Sequence, residues 1–208
     1  DHWLDVAAFA DGLAGCGHHV KGVVETCEQC GEQLQLSVSL YRGDFMSGFS
    51  LSSSAAFEEW VLVRQEQHRR QILDALYQLA VCYERQGALE KALSYARQQV
   101  DLDPWREEAH RQVMLLLAQS GQRTAALAQY EACRRTLAEE LGVEPAEETT
   151  DLYARIRDGD LSNWAVEQAG QKDDFSSVPL YGLPPFLEQE VEPAEVERPT
   201  FVAREREL

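Results

Sequence analysis

Three cysteines and two histidines near the amino terminus are the residues of this chain best suited to chemistry. Cys27 and Cys30 are two residues apart, a spacing at which two thiolates bind one zinc ion from a tight turn. Cys16, with His18 or alternatively His19 as the fourth ligand, would complete a tetrahedral set. The segment from Cys16 to Cys27 suits a loop between two antiparallel helices, so zinc there would be structural and would fix the hairpin.

A second interpretation of the same residues needs no metal. Cys27 and Cys30 would then lie at the start of a helix, with the histidines in a solvated turn. A redox-active pair is less favoured, because no alternation of strand and helix patterns surrounds it. Both interpretations stay open, and the zinc hypothesis predicts stoichiometric metal in protein purified without chelator.

No other motif in the sequence is typical of a catalytic or nucleotide-binding site. The patterns G-x-S-x-G, G-x-x-x-x-G-K-[ST], H-E-x-x-H and G-x-G-x-x-G do not occur. Cys82 and Cys133 lie on or beside apolar stripes and are predicted to be core residues. His68 and His110 stand alone on long predicted helices, as packed or surface histidines. The sequence therefore predicts that the chain is not an enzyme.

The charge of the chain is strongly acidic and unevenly distributed. The net charge is −17, of which −12 falls in residues 139–208 and −5 in residues 1–138. Affinity for DNA comes mainly from lysine and arginine neutralising phosphates, so the chain alone is not expected to bind DNA. No secretion signal or membrane-spanning stretch occurs, and five cysteines argue against a disulfide framework. We therefore predict a cytoplasmic location.

The elements that would position these residues are helices of an internal repeat. A shift of 34 residues places Gly87 on Gly121. The same shift places the Ala-Leu pair at 92–93 on the pair at 126–127. A glycine that ends one helix, followed by an Ala-Leu pair inside the next, is typical of tetratricopeptide repeats. We therefore predict an all-α fold of tetratricopeptide-like helical hairpins, an α-solenoid.

Capping residues predict where the helices begin and end. The serines at 52–54 offer an N-cap to a helix that ends near Gln86, either continuous or interrupted near Arg69. The Asp-Pro pair at 103–104 predicts another helix start, as N-cap and first residue. Pro145 is predicted to start the last helix. The other predicted helices run from Val6 to about Ala14, from about Glu25 to Tyr41, from Ala88 to about Val100, and up to Gly142.

Four stretches occur in an order that is known from a regulatory family. They are Leu-Tyr-Arg-Gly-Asp-Phe at 40–45, Asp-Pro-x-x-Glu at 103–107, Gly-x-x-x-x-Ala-Leu-x-x-Tyr at 121–130 and Leu-Ala-Glu-Glu-Leu-Gly-Val-x-Pro at 137–145. Together they resemble the bacterial transcriptional activation domain of the Streptomyces antibiotic regulatory protein family. The resemblance covers roughly residues 34–157 and implies a tetratricopeptide-like fold.

The resemblance also implies a domain organisation. Residues 1–5 would be the end of a preceding winged-helix domain, and residues 6–158 the activation domain itself. Residues 159–200 are acidic and contain prolines, which predicts an extended linker. Residues 201–208 resemble the Phe-Val-Gly-Arg-Glu-x-Glu-Leu start of an ATPase domain, with Ala203 in place of the glycine. ATP would then bind only after Leu208.

These observations predict a relay domain within a multidomain bacterial transcriptional regulator. Its partners would be another protein or its own neighbouring domains, or a second copy in a homo-oligomer. DNA would be contacted only by a domain outside this chain, and no membrane contact is expected. The alternative is a general tetratricopeptide adaptor or assembly chaperone that has no connection with transcription.

Overall fold

The computed structural model describes residues 5–14, 28–51 and 53–160 of the chain. These residues form seven α-helices and no strand, which confirms the predicted all-α fold. None of these helices is long and apolar enough to span a membrane. The helices are α1 (Asp5–Ala14), α2 (Glu28–Leu40), α3 (Ala55–Arg85), α4 (Leu89–Leu102), α5 (Glu107–Gln119), α6 (Arg123–Glu140) and α7 (Glu147–Asp158).

The predicted repeat is confirmed by matching hydrogen bonds after α3 and α5. After α3, the backbone N–H of Ala88 donates to the carbonyl oxygen of Tyr83 over 2.9 Å. After α5, the N–H of Gln122 donates to the carbonyl of Leu117 over 2.8 Å, at a shift of 34 residues. The residue before each donor is a glycine, with φ of 73° and 77°. Glycine adopts this left-handed conformation without the steric cost of a Cβ, so both helices stop at equivalent positions.

The core lies between the two hairpins formed by α3 with α4 and by α5 with α6. Ala92 and Ala126 occupy equivalent repeat positions, and both are fully buried. Alanine at these positions lets the paired helices approach closely. α7 packs against α5 and α6 through Leu152 and Ile156, which are also buried.

α3 is continuous and longer than its neighbours. Its N-cap is Ser54, whose side chain accepts a hydrogen bond from the N–H of Phe57, as the serine run predicts. No interruption occurs near Arg69. Because α3 has 31 residues and α4 has 14, the first half of α3 extends beyond α4. The loop at 41–51 packs there instead, and the Gln65 side chain donates to the carbonyl of Phe45 over 2.7 Å.

The predicted start of α5 at the Asp-Pro pair is wrong. α4 continues to Leu102, and α5 begins at Glu107 after Arg106 as N-cap. Asp103 and Pro104 form a turn, in which the Asp103 carbonyl accepts the N–H of Arg106 over 3.2 Å.

The last helix also begins later than predicted, at Glu147 and not at Pro145. Ala146 is the N-cap and has extended backbone, with ψ of 160°. Its N–H is hydrogen-bonded to the carboxylate of Glu107, at 2.9 and 3.1 Å from the two oxygens. This contact from α5 fixes the first turn of α7 at a position that the proline alone does not determine.

Candidate interaction surface

Four of the five predicted metal ligands, Cys16, His18, His19 and Cys27, lie outside the described residues. Cys30 lies in the first turn of α2. Within residues 5–14, 28–51 and 53–160, no group of three or more His, Cys, Asp or Glu side chains is placed to hold a metal ion. Structural zinc therefore stays a prediction about the segment that joins α1 and α2.

The two described thiols are core residues, as predicted. Cys82 is 3% exposed and Cys133 is fully buried. Burial raises the pKa of the Cys133 thiol to about 12, so the thiol stays protonated near neutral pH. A buried, protonated thiol is a poor nucleophile and a poor metal ligand.

His110 links three elements by hydrogen bonds of its ring. Its Nδ1 lies 2.8 Å from the side-chain nitrogen of Gln129 on α6, and its Nε2 lies 2.9 Å from the carbonyl oxygen of Pro104. An amide nitrogen can only donate and a carbonyl can only accept, so Nδ1 accepts and Nε2 carries the proton. Burial lowers the pKa of His110, which favours this neutral form.

Polar side chains join α3 to α5 along one face of the repeat. Arg106 forms an ion pair with Asp74 at 3.7 Å, and the Gln119 amide donates to the Glu84 carboxylate over 2.6 Å. Tyr77 lies between these two positions of α3, one to two turns from each, so the contacts follow one stripe of the helix. The phenol-bearing side of this stripe is open, since Tyr77 is 43% exposed.

The same face continues from α5 to α7. Thr149 of α7 is fully buried, and its hydroxyl donates to the Glu107 carboxylate over 2.6 Å. The hydroxyl also accepts a hydrogen bond from Arg111 over 2.9 Å. Glu107 therefore caps α7 from the neighbouring helix, since the N-cap residue Ala146 provides no side-chain hydrogen bond.

We call the surface of Asp74, Tyr77, Glu84, Arg106, Glu108, Arg111 and Gln119 the α3–α5–α7 face. It holds both signs of charge around one exposed aromatic ring. The Glu108 side chain is 60% exposed and lies 3.8 Å from both Arg106 and Arg111. Burial raises the pKa of the Asp74 carboxyl, although Arg106 opposes this shift. An aromatic anchor with charged neighbours is typical of protein-binding surfaces.

The fold and this face define a helical-repeat domain of the protein-binding class. The chain matches the family described as bacterial transcriptional activator domain over residues 4–157, and it belongs to that family. The match includes α1 and α2, which precede most of the motifs that carry the resemblance.

Two similar proteins are both named regulatory protein AfsR. That of Streptomyces coelicolor is 29% identical over 157 residues, which cover 76% of this chain and 15% of that protein. That of Streptomyces griseus is 44% identical over 68 residues, which cover 32% of this chain and 7% of that protein. The aligned region thus spans no more than 15% of the length of these relatives.

Sequence reasoning missed the contact between Glu107 and Thr149. The two residues are 42 positions apart and belong to different repeats, so no local spacing reports their proximity. The glutamate is visible in the sequence only as a favourable residue for the start of α5.

Proposed function

We propose that the chain is the protein-interaction and signal-relay domain of a multidomain bacterial transcriptional regulator. Membership of the bacterial transcriptional activator domain family supports the role in transcription. The observation that carries the interaction role is the α3–α5–α7 face. Its helices are held together by their own polar contacts, so the surface is preorganised and little ordering is required on binding.

The relay would run between a winged-helix domain before this chain and an ATPase or sensor domain after it. The resemblance of residues 201–208 to the start of an ATPase domain supports the second connection, and residues 1–5 would be the junction to the first. The acidic charge of residues 139–208 would keep this part of the regulator away from DNA phosphates. The role is a binding role, and no catalytic step is proposed.

The general tetratricopeptide adaptor is the less favoured alternative. The repeat alone would suit it equally, because stacked hairpins serve many interaction proteins. The family match over residues 4–157 favours the regulator, since it extends well beyond the two repeated hairpins.

Photo-crosslinking in the complete gene product tests the proposed contact surface. A photoreactive phenylalanine derivative at Tyr77 replaces an exposed ring by a similar one and should leave the fold intact. We expect crosslinked peptides from another domain of the same regulator or from a second protein. Gln98, exposed on α4, is the matched control position. Equal crosslinking at 77 and 98 would contradict the assignment of the face.

A further inference from the structure

The first half of α3 carries an exposed strip that no described element covers. Leu62 is 65% exposed and Val63 is 51% exposed. Glu59, Glu66 and Arg70 lie at helical spacing around them, and all three are exposed as well. We call these five residues the α3 strip. It arises because α3 extends beyond the end of α4, which covers only the second half of α3.

The opposite side of this half of α3 is already occupied. Phe57 and Trp60 pack against aromatic rings of the loop at 41–51, with Phe45 at a centroid distance of 5.7 Å from Trp60. The Glu58 carboxylate also accepts a hydrogen bond from the backbone N–H of Leu51, which is itself 42% exposed. The loop therefore holds one side of the helix and leaves the α3 strip as an open apolar surface.

The order of charges along the strip is complementary to itself in reverse. Glu59 is at one end, the apolar pair is in the middle, and Arg70 is at the other end. Glu66 is neutralised within the helix, because its carboxylate lies 2.7 Å from Nε of Arg70. An antiparallel copy of the strip would therefore bring carboxylate to guanidinium at both ends.

We propose that the α3 strip binds a second copy of this chain, antiparallel and about a two-fold axis. The axis crosses α3 between Val63 and Glu66. Val63 of each copy then packs against the aliphatic part of Glu66 of the other, and Leu62 lies beside it. Glu59 of each copy faces Arg70 of the other, so one contact occurs twice, as two-fold symmetry requires.

The resulting dimer is expected to be weak. Two helices that pack over about four turns bury less than the ~1,200 Å² of a standard interface. We therefore expect a dissociation constant on the order of tens of micromolar for the chain alone. The association would be stronger wherever another contact already brings two copies together, because the effective concentration rises.

Charge exchange at the two ends tests both the interface and its direction. Sedimentation velocity of the full 208-residue chain over a concentration series should show reversible dimerisation. Glu59→Lys and Arg70→Glu should each raise the dissociation constant about tenfold or more, since each places two like-charged pairs in the homodimer. An equimolar mixture of the two variants should recover dimers, because every end contact is then between opposite charges.

Leu62→Ser with Val63→Ser should also abolish the dimer, while Leu141→Ser with Val143→Ser is the control. Leu141 and Val143 are 55% and 48% exposed, but they lie in the loop between α6 and α7. Circular dichroism of each variant checks that the helices are intact. A monomer at all concentrations, or a mixture of the charge variants that stays monomeric, would overturn the proposal. Loss of the dimer in the control variant would also overturn it.

Discussion

At the scale of single residues, the chain shows how an unremarkable histidine acquires a fixed role. From the sequence, His110 is an isolated histidine on a helix. The structure places it between the turn at Pro104 and Gln129 of α6, with one ring nitrogen donating and the other accepting. Local sequence cannot reveal this role, because the partners belong to other elements. By contrast, Cys82 and Cys133 are predictable as core residues, since apolar periodicity alone determines their burial.

His110 should make the stability of the domain depend on pH. Its folded-state pKa is lowered by burial below the ordinary value of 6.5, so the unfolded chain binds a proton more readily. Stability is therefore complete above about pH 6.5 and falls as the pH drops below that value. Urea unfolding at pH 7.5 and pH 5.5 should show a lower free energy of unfolding at the lower pH.

A His110→Leu variant separates this effect from other groups. His68, whose pKa is also lowered by burial, contributes in the same direction, and Asp74, whose pKa is raised, contributes in the opposite one. Leucine stands at the equivalent repeat position, residue 76. The variant should be less stable at pH 7.5 but should lose less stability on acidification. An unchanged pH dependence would show that His110 is not the group responsible.

At the scale of elements, helix ends were predictable where the cause is local and not where it is tertiary. The stops at Gly87, Gly121 and Gly142 follow from glycine in the left-handed conformation, with φ between 69° and 77°. The starts of α5 and α7 are displaced from their prolines because contacts from other helices fix the preceding turns. The cap that Glu107 of α5 supplies to α7 is the clearest case.

The contact between Glu107 and Thr149 should contribute measurably to the docking of α7. Thr149→Val keeps the shape of the buried side chain but removes the hydroxyl, which leaves Glu107 and Arg111 without that partner. We expect a loss of about 1–2 kcal/mol in the free energy of unfolding, measured with urea. Thr150→Val is the control, because this neighbour is exposed and its hydroxyl bonds only the carbonyl of Ala146 in its own helix. Equal losses for the two variants would contradict a specific role of Thr149.

At the scale of the whole molecule, the fold was predictable and the interaction surface was not. The repeat of 34 residues predicts the paired hairpins because each hairpin must bury its apolar side against the next. The α3–α5–α7 face depends on which exposed side chains of separate helices become neighbours, as Asp74 and Arg106 do. The predicted zinc site and the domains beyond residues 5–160 stay predictions.

The measurement that tests the central claim most directly is the transcript profile of cells with an altered α3–α5–α7 face. A chromosomal allele with Tyr77→Ala and Glu108→Ala removes the exposed ring and an exposed charge of that face. Loss of an anchoring aromatic costs about 2 kcal/mol in a typical interface, roughly a thirtyfold loss of affinity. The account predicts changes in the same transcripts that respond to deletion of the gene, at unchanged protein level. A Leu141→Ala allele should leave them unaltered. A profile identical to that of the unmodified strain, where the deletion strain differs, would contradict the account.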